Sequence, residues 1–190
     1  MTTFSSMKLI AIAATSLDGF ITRGDEPGTA FTSAADKSWF PKTVEAFDFK
    51  IMGRKTFEVS KDYILGLVHN EANDKRFVMT RSPENSKDLE VPNRLEFTKQ
   101  PPAQIVAGIK KSGVVDPKVA ILGGSNIFSA FLDAGLISEF WITLEPLMFG
   151  YGTPLLNRET QAKLRLIESS NLGADTLLLK YLCDYSQTNS

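Results

Sequence analysis

Cysteine and histidine are almost missing from this 190-residue chain, each occurring once. A single cysteine, Cys183, excludes an intrachain disulfide and makes a reduced, cytoplasmic setting the simplest reading. Its neighbours Tyr181 and Leu182 suggest a packed thiol. One histidine, His69, set between Val68 and Asn70 with Glu71 beyond, makes neither a closed zinc site nor a Cys–His nucleophilic pair with one distant cysteine. No metal is expected, and His69 reads as a surface residue. An excess of one charge is also lacking, since 21 basic residues face 22 acidic ones. That balance removes the broad positive field that non-specific binding to nucleic acid or a membrane surface requires. Long hydrophobic runs are absent too. The start, MTTFSSMKLI, leads into an apolar run that breaks at Thr15 and Ser16, too short for a signal-peptide core or a membrane span. Residues 1–6 read as a flexible end, and no repeat, low-complexity tract or interdomain linker follows.

What is present is 43% hydrophobic residues, enough for one sizeable core and one domain. The run LIAIAA, residues 9–14, predicts a buried strand ended by Ser16, Asp18 and Gly19. Ser33 caps a helix over residues 34–47, with Trp39, Phe40, Val44 and Phe47 as its inner stripe and Pro41 marking a kink or a break into two. Strands are predicted at 49–52, 76–80, 95–97, 119–122 and 140–144, and helices from Arg54, over 101–111 and over 125–134 with Gly135 closing the last. Residues 83–93 read as irregular. A bend at Gly150–Gly152 precedes an antiparallel hairpin, 164–168 with 176–182, turning near Gly173. Alternating strands and helices finished by a hairpin predict an α/β fold with a mainly parallel central sheet.

Three turns carry phosphate-friendly chemistry. IMGRKTF places Gly53, Arg54, Lys55 and Thr56 where a strand hands over to a helix, and a helix start offers free amides to an anion. A solvated basic helix start with a Thr cap is the plain alternative. AILGGSNIF sets paired glycines, Gly123 and Gly124, before Ser125, Asn126 and Ile127, letting the backbone approach a diphosphate; many α/β turns hold Gly-Gly for steric reasons alone. Thr80, Arg81 and Ser82 suit a phosphate monoester, or form an ordinary loop. Together the three say more than each does, because strand C-termini in open α/β sheets converge on one crevice. Among the carboxylates, Asp18 follows the first strand but also makes a common Asp-Gly turn. Asp36 faces either a pocket or only the helix dipole, and Glu145 is either a loop anchor or a substrate contact.

In order, SLDGFI at Ser16–Ile21, MGRKTF at Met52–Phe57, the TRS turn at Thr80, ILGGSNIF at Ile121–Phe128 and ISEFWITLEPLMFGYGTPLL resemble the reductase domain of bacterial riboflavin biosynthesis, within the dihydrofolate reductase-like superfamily. The resemblance covers residues 7–183, leaving 184–190 as a tail. It implies a single dihydrofolate reductase-like domain with NADPH as hydride donor, a small-molecule substrate, and often a homodimer. By motif position it implies that Gly53, Arg54, Lys55 and Thr56 meet the cofactor phosphates. Thr80, Arg81 and Ser82 would meet the adenosine 2′-phosphate, and Gly123 to Ile127 the diphosphate. Asp18 and Asp36 are the expected catalytic groups, with Ser16, Phe20, Trp39 and Glu145 on the substrate side. Phe20 stands where the riboflavin enzymes carry a basic residue, and their Asn-Pro segment has no counterpart here. Asp36 falls where true dihydrofolate reductases hold an acid against the pterin, although the tryptophan that precedes that helix is replaced by Phe31 at the nearest aromatic position. The expected activity is reduction of a phosphoribosylamino-pyrimidine or another small heterocyclic or sugar-derived substrate. Two alternatives stay open, dihydrofolate reduction and a non-catalytic NADP(H)-binding protein.

Overall fold

The computed structural model describes residues 7–70, 74–160 and 162–186. Its strands are β1 (Lys8–Thr15), β2 (Phe49–Gly53), β3 (Lys75–Met79), β4 (Leu95–Thr98), β5 (Lys118–Ile121), β6 (Glu139–Leu144), β7 (Lys163–Gly173) and β8 (Thr176–Asp184). The helices are α1 (Ala34–Glu45), α2 (Arg54–Val59), α3 (Lys61–Asn70), α4 (Pro102–Lys110) and α5 (Ser125–Asp133). All eight strands form one sheet in the order β4-β3-β2-β5-β1-β6-β8-β7. The first six are mutually parallel, and β8 and β7 close the edge in antiparallel pairing. This is the predicted class: a mainly parallel sheet flanked by helices and finished by a hairpin.

Burial explains why the centre of β1 is a continuous apolar run. Leu9 to Ala13 of β1 are all buried, as parallel strands covered on both faces must be. One face carries Leu9, Ala11, Val119 and Ile121 beneath Ile105, Val106 and Ile109 of α4 and Phe128, Phe131 and Leu132 of α5. The opposite face carries Ile10, Ile12 and Ala120 beneath Val44 of α1 and Phe47 just beyond it. Alternation along β1 therefore sends successive residues to two separate helical layers.

The chain order creates the site. From β1 the chain crosses through α1 to β2 on one side of the sheet, whereas from β5 it crosses through α5 to β6 on the other. The connection leaving β2, through α2 and α3 to β3, runs away from β5, and the one leaving β5 runs away from β2, so the two part company between β2 and β5 and leave a crevice at the strand C-termini.

Several boundaries differ from the sequence expectation. Helix α1 runs through Pro41 as one element instead of breaking there. Helix α3 has no counterpart among the predicted elements: Gly66 interrupts its apolar run Tyr63–Val68, and only Ile64 and Val68 are buried; His69 lies exposed at its end. The hairpin turns at Ala174 and Asp175, both with positive φ (51° and 63°), the geometry of a two-residue turn that matches strand twist. The strand continues to Asp184, and the Tyr185 hydroxyl donates to the Ile137 carbonyl at 3.0 Å, so the start of the expected tail is packed. Residues 1–6 and 187–190 lie outside the described residues. Burial pushes the half-buried Cys183 thiol up to about 11, consistent with a packed, unreactive sulfur. Among the described residues no helix is long and apolar enough to cross a membrane.

Phe131 is fully buried where α5 meets the sheet. Phe131→Ala is expected to cost about 3–5 kcal/mol in urea unfolding, as large-to-small changes in a closed core do. A loss below about 1 kcal/mol would mean that this layer collapses around the cavity and does not hold α5 in place.

Candidate functional site

The three turns singled out in the sequence meet along one cleft of about 1990 Å³. Its lining includes Gly53, Arg54, Lys55, Thr56, Thr80, Arg81, Ser82, Gly124, Ser125, Asn126 and Ile127. Gly123 contributes from behind: its carbonyl accepts the Gly53 amide at 2.7 Å, tying the first turn to the second. Gly123 is required by space and backbone conformation, and Gly53 sits close against α5. A Cβ on Gly53 would stand 3.1 Å from Ile127, and one on Gly123, at φ +85°, would meet the Phe128 ring at 2.6 Å. The Gly123–Gly124 peptide is cis.

Helix α5 opens at the end of this paired-glycine turn. The Gly124 carbonyl accepts from the Ile127 and Phe128 amides, leaving the first amides of the helix without an intrahelical acceptor. The Ser125 hydroxyl is buried and has no hydrogen-bond partner, the one such side-chain atom among the described residues. An orphaned hydroxyl at a nine-residue helix start fits an anionic oxygen as its missing partner. Arg54 is half-exposed and only 3.8 Å from Glu58, an exposed pair too weak to hold its guanidinium back from a ligand. In the third turn the Thr80 amide donates to Thr98 and its hydroxyl accepts from the Ser82 amide, which fixes the backbone while Arg81 stays exposed. Residues 21–29 wall the cleft on another side and pack on α2, where a Cβ on Gly28 would meet Val59 at 2.6 Å.

Asp36 also lines this cleft, buried in the first turn of α1. Ser33 caps that turn by accepting the Asp36 amide at 3.2 Å, and Asp36 Oδ1 accepts the Thr143 hydroxyl of β6 at 2.7 Å. Burial raises the Asp36 carboxyl above its ordinary range against the opposing hydrogen bonds from Thr143 and Thr32, and the nearby Glu145 adds to the rise. Thr143 was missed from sequence, since its role appears only when β6 is brought beneath α1.

The structure gives the other expected substrate-side groups different roles, and none of them lines the cleft. Asp18 accepts the Ser16 hydroxyl at 2.5 Å and the amides of Phe149 and Gly150 at 3.0 and 2.8 Å. The Ser16 hydroxyl and the Gly150 amide hold its carboxyl below the usual range. Asp18 is thus an ionised brace between two loops and a poor proton donor, contrary to the catalytic expectation. Ser16 completes the brace by accepting the Phe20 amide, and Phe20 pairs with Pro154. Trp39 packs against the core beneath α1. Glu145 is fully buried; it accepts the Ser33 amide at 3.1 Å and the Thr176 hydroxyl at 2.9 Å. Both carboxylate oxygens being engaged, Glu145 anchors α1 to β8, the first of the two roles read from sequence.

Comparison with known proteins fits this geometry. The sequence model of the RibD C-terminal domain family matches residues 7–178. The uncharacterized protein YwjB of Bacillus subtilis is 30% identical over 172 residues, covering 87% of this chain and 92% of YwjB. The crystal structure of a putative riboflavin biosynthesis protein from Shewanella superposes with a TM-score of 0.67 at 23% identity, covering 94% of this chain and 99% of that one. The dihydrofolate reductase of Enterococcus faecalis, a structure complexed with NADP(H), superposes with a TM-score of 0.65 at 18% identity, covering 95% of this chain and 98% of that one.

Two measurements check the site. Because the folded protein binds the Asp36 proton more tightly than the unfolded chain, whose carboxyl titrates near 3.8, stability declines as pH rises above that value through the raised one. Asp36→Asn removes this decline, so its stability relative to the parent is expected to climb as pH rises above about 4 in denaturant titrations; a constant difference would contradict the raised carboxyl. Ser125→Ala deletes an unsatisfied buried group and is expected to leave stability unchanged or raise it by up to about 1 kcal/mol. A clear loss would reveal an internal partner for that hydroxyl.

Proposed function

The chain belongs to the RibD C-terminal domain family, and we propose that within it the protein is an NADPH-dependent reductase acting on a small pyrimidine-, sugar-derived or other heterocyclic substrate. The observation that carries this reading is the buried, partnerless Ser125 hydroxyl at the start of α5, set among three turns whose exposed groups all suit phosphate oxygens. The residues fit the cofactor: Ser125 and the adjacent amides of α5 would receive the diphosphate, with Arg54, Lys55 and Thr56 on its flank. Arg81, with Thr80 and Ser82, would take the adenosine 2′-phosphate. When bound, NADPH supplies a hydride to an electron-poor carbon or imine.

The chain's own residues then provide positioning and a proton. Gly53 and Gly123, bonded to each other, hold two of the turns at a fixed separation. Burial holds the Asp36 proton to higher pH than an exposed carboxyl would, while Thr143 fixes the position of its Oδ1. It is the group suited to donate to a substrate nitrogen or oxygen as charge develops there. The same geometry favours dihydrofolate reduction as the second reading, because a buried acid paired with a threonine also suits a protonated pterin.

Loss of the reduced-nicotinamide absorbance with the phosphoribosylamino-pyrimidine of riboflavin synthesis and with dihydrofolate separates the two. Turnover of the first supports the leading reading, turnover of the second the alternative, and cofactor binding without turnover of either points to a non-catalytic NADP(H)-binding protein. Cofactor titrations test the residues. The double variant Arg54→Ala, Arg81→Ala is expected to weaken NADPH at least about tenfold more than NADH, whereas Ser125→Ala weakens both equally because both carry the diphosphate. Equal losses for the two cofactors in the double variant would remove the 2′-phosphate assignment.

A further inference from the structure

At its antiparallel edge the sheet has its polarity reversed with respect to solvent. Directly opposite residues of an antiparallel pair share a face, so the register sorts the side chains of β6, β8 and β7. Phe140, Tyr181 and Leu166 make one row across the three strands; Leu164 lies on one side of it, and Leu179 and Leu177 on the other. The Phe140 ring stands 6.3 Å from that of Phe128, so this is the face covered by α5. The charged residues of β7 and β8, namely Lys163, Arg165, Glu168, Lys180 and Asp184, all fall on the opposite face.

An antiparallel sheet with one solvated face normally turns its polar residues to solvent. Here the charged face is the one that packs, with Thr176 and Leu178 buried and the Lys180 ammonium 4.5 Å from the centre of the Trp141 ring. The charge-free face is the open one. Cover thins along the row from Phe140, 4% exposed, through the half-buried Tyr181 to Leu166, 50% exposed. Leu164 and Leu177 are 43% and 39% exposed, and no residue of β7 is buried. A contiguous apolar face left open in this way marks a contact with another molecule.

What it contacts follows from its chemistry. A face without charge offers no counter-ion to nucleic acid, an acidic peptide or a lipid headgroup. Charge depletion around a central tyrosine is instead the composition of a subunit interface, and a two-fold axis lays such a face on its own copy with no like charges opposed. The free edge of β7 is the poorer joint, because its ladder slips between Leu166 and Glu168 and leaves Ile167 as an extra residue; a bulge of this kind works against strand addition. We propose that a second copy of this chain packs on the α5-side face of β7 and β8, sheet against sheet across a two-fold axis. The contact backs onto the acid end of the cleft. Leu177 follows Thr176, whose hydroxyl bonds Glu145 and Ser33, so the partner braces the strand that anchors the start of α1. The proposal rests on the strand faces and stands whether or not the reductase reading does.

Sedimentation equilibrium of the whole chain between about 1 and about 100 μM is expected to give twice the chain's 21.0 kDa. Leu166→Glu places a charge in the middle of the face, at a position already half open, and is expected to weaken association at least about hundredfold. Arg165→Ala, on the other face of the same strand, is expected to change it by less than about twofold. Hydroxyl-radical footprinting of the unmodified protein gives a readout that does not depend on a variant folding. Corrected for intrinsic reactivity, Leu164 and Leu166 are expected to be modified at least about fivefold less than Val115, which is 85% exposed on the loop before β5. A 21.0 kDa species throughout the range, modification of the two leucines in proportion to their exposure in the single chain, or equal weakening by the two substitutions overturns the proposal.

Discussion

Everything at this site depends on the reversal of connection between β2 and β5. Parallel strands force each crossover onto a face of the sheet, and here α1 and α5 take opposite faces from neighbouring strands. The gap that results sits at strand ends, where backbone amides and side chains of several turns are free to face one ligand. The hydrogen bond from the Gly53 amide to the Gly123 carbonyl spans the β2 and β5 ends and fixes the two glycine turns relative to each other. Larger residues would break that approach, since the Ile127 and Phe128 side chains already fill the space behind it. The convergence of the three turns on one cleft is thus a consequence of topology first and of residue type second.

The acid end of the cleft is organised by buried polar groups that are shared between elements. Glu145, after β6, holds the amide that begins α1 and the hydroxyl that begins β8, while Ser33 and Thr143 fix the backbone and one oxygen of Asp36. Every one of these contacts joins segments more than thirty residues apart except the cap itself. Buried carboxylates of this kind hold a single arrangement because any displacement leaves a donor unsatisfied. Asp36 is the member of the set that opens to the cleft, and its elevated proton affinity follows from the same burial that orders it.

Much of this was legible in the sequence, for identifiable reasons. Buried parallel strands are short continuous apolar runs, so LIAIAA and VAIL declared themselves, and the glycine pairs and the Ser33 cap are local signals. The turn residues that line the cleft could be picked out because each lies next to a strand that could be read. The substrate side was not readable in the same way. Ser16-Leu17-Asp18-Gly19 looks identical whether Asp18 faces a ligand or, as here, the amides of Phe149 and Gly150, which are over 130 residues away. Helix α3 escaped because Gly66 breaks its short apolar run Tyr63–Val68 and weakens the helical signal.

The central claim is that the turn between β5 and α5 receives the diphosphate of a nicotinamide cofactor. A crystal structure of the protein grown with NADPH tests it most directly. The account predicts diphosphate oxygens within hydrogen-bond distance of the Ser125 hydroxyl and the first amides of α5, with the 2′-phosphate beside Arg81 and the nicotinamide toward Asp36. A fully occupied NADPH bound elsewhere, or a cleft that stays without it at saturating concentration, would contradict the claim.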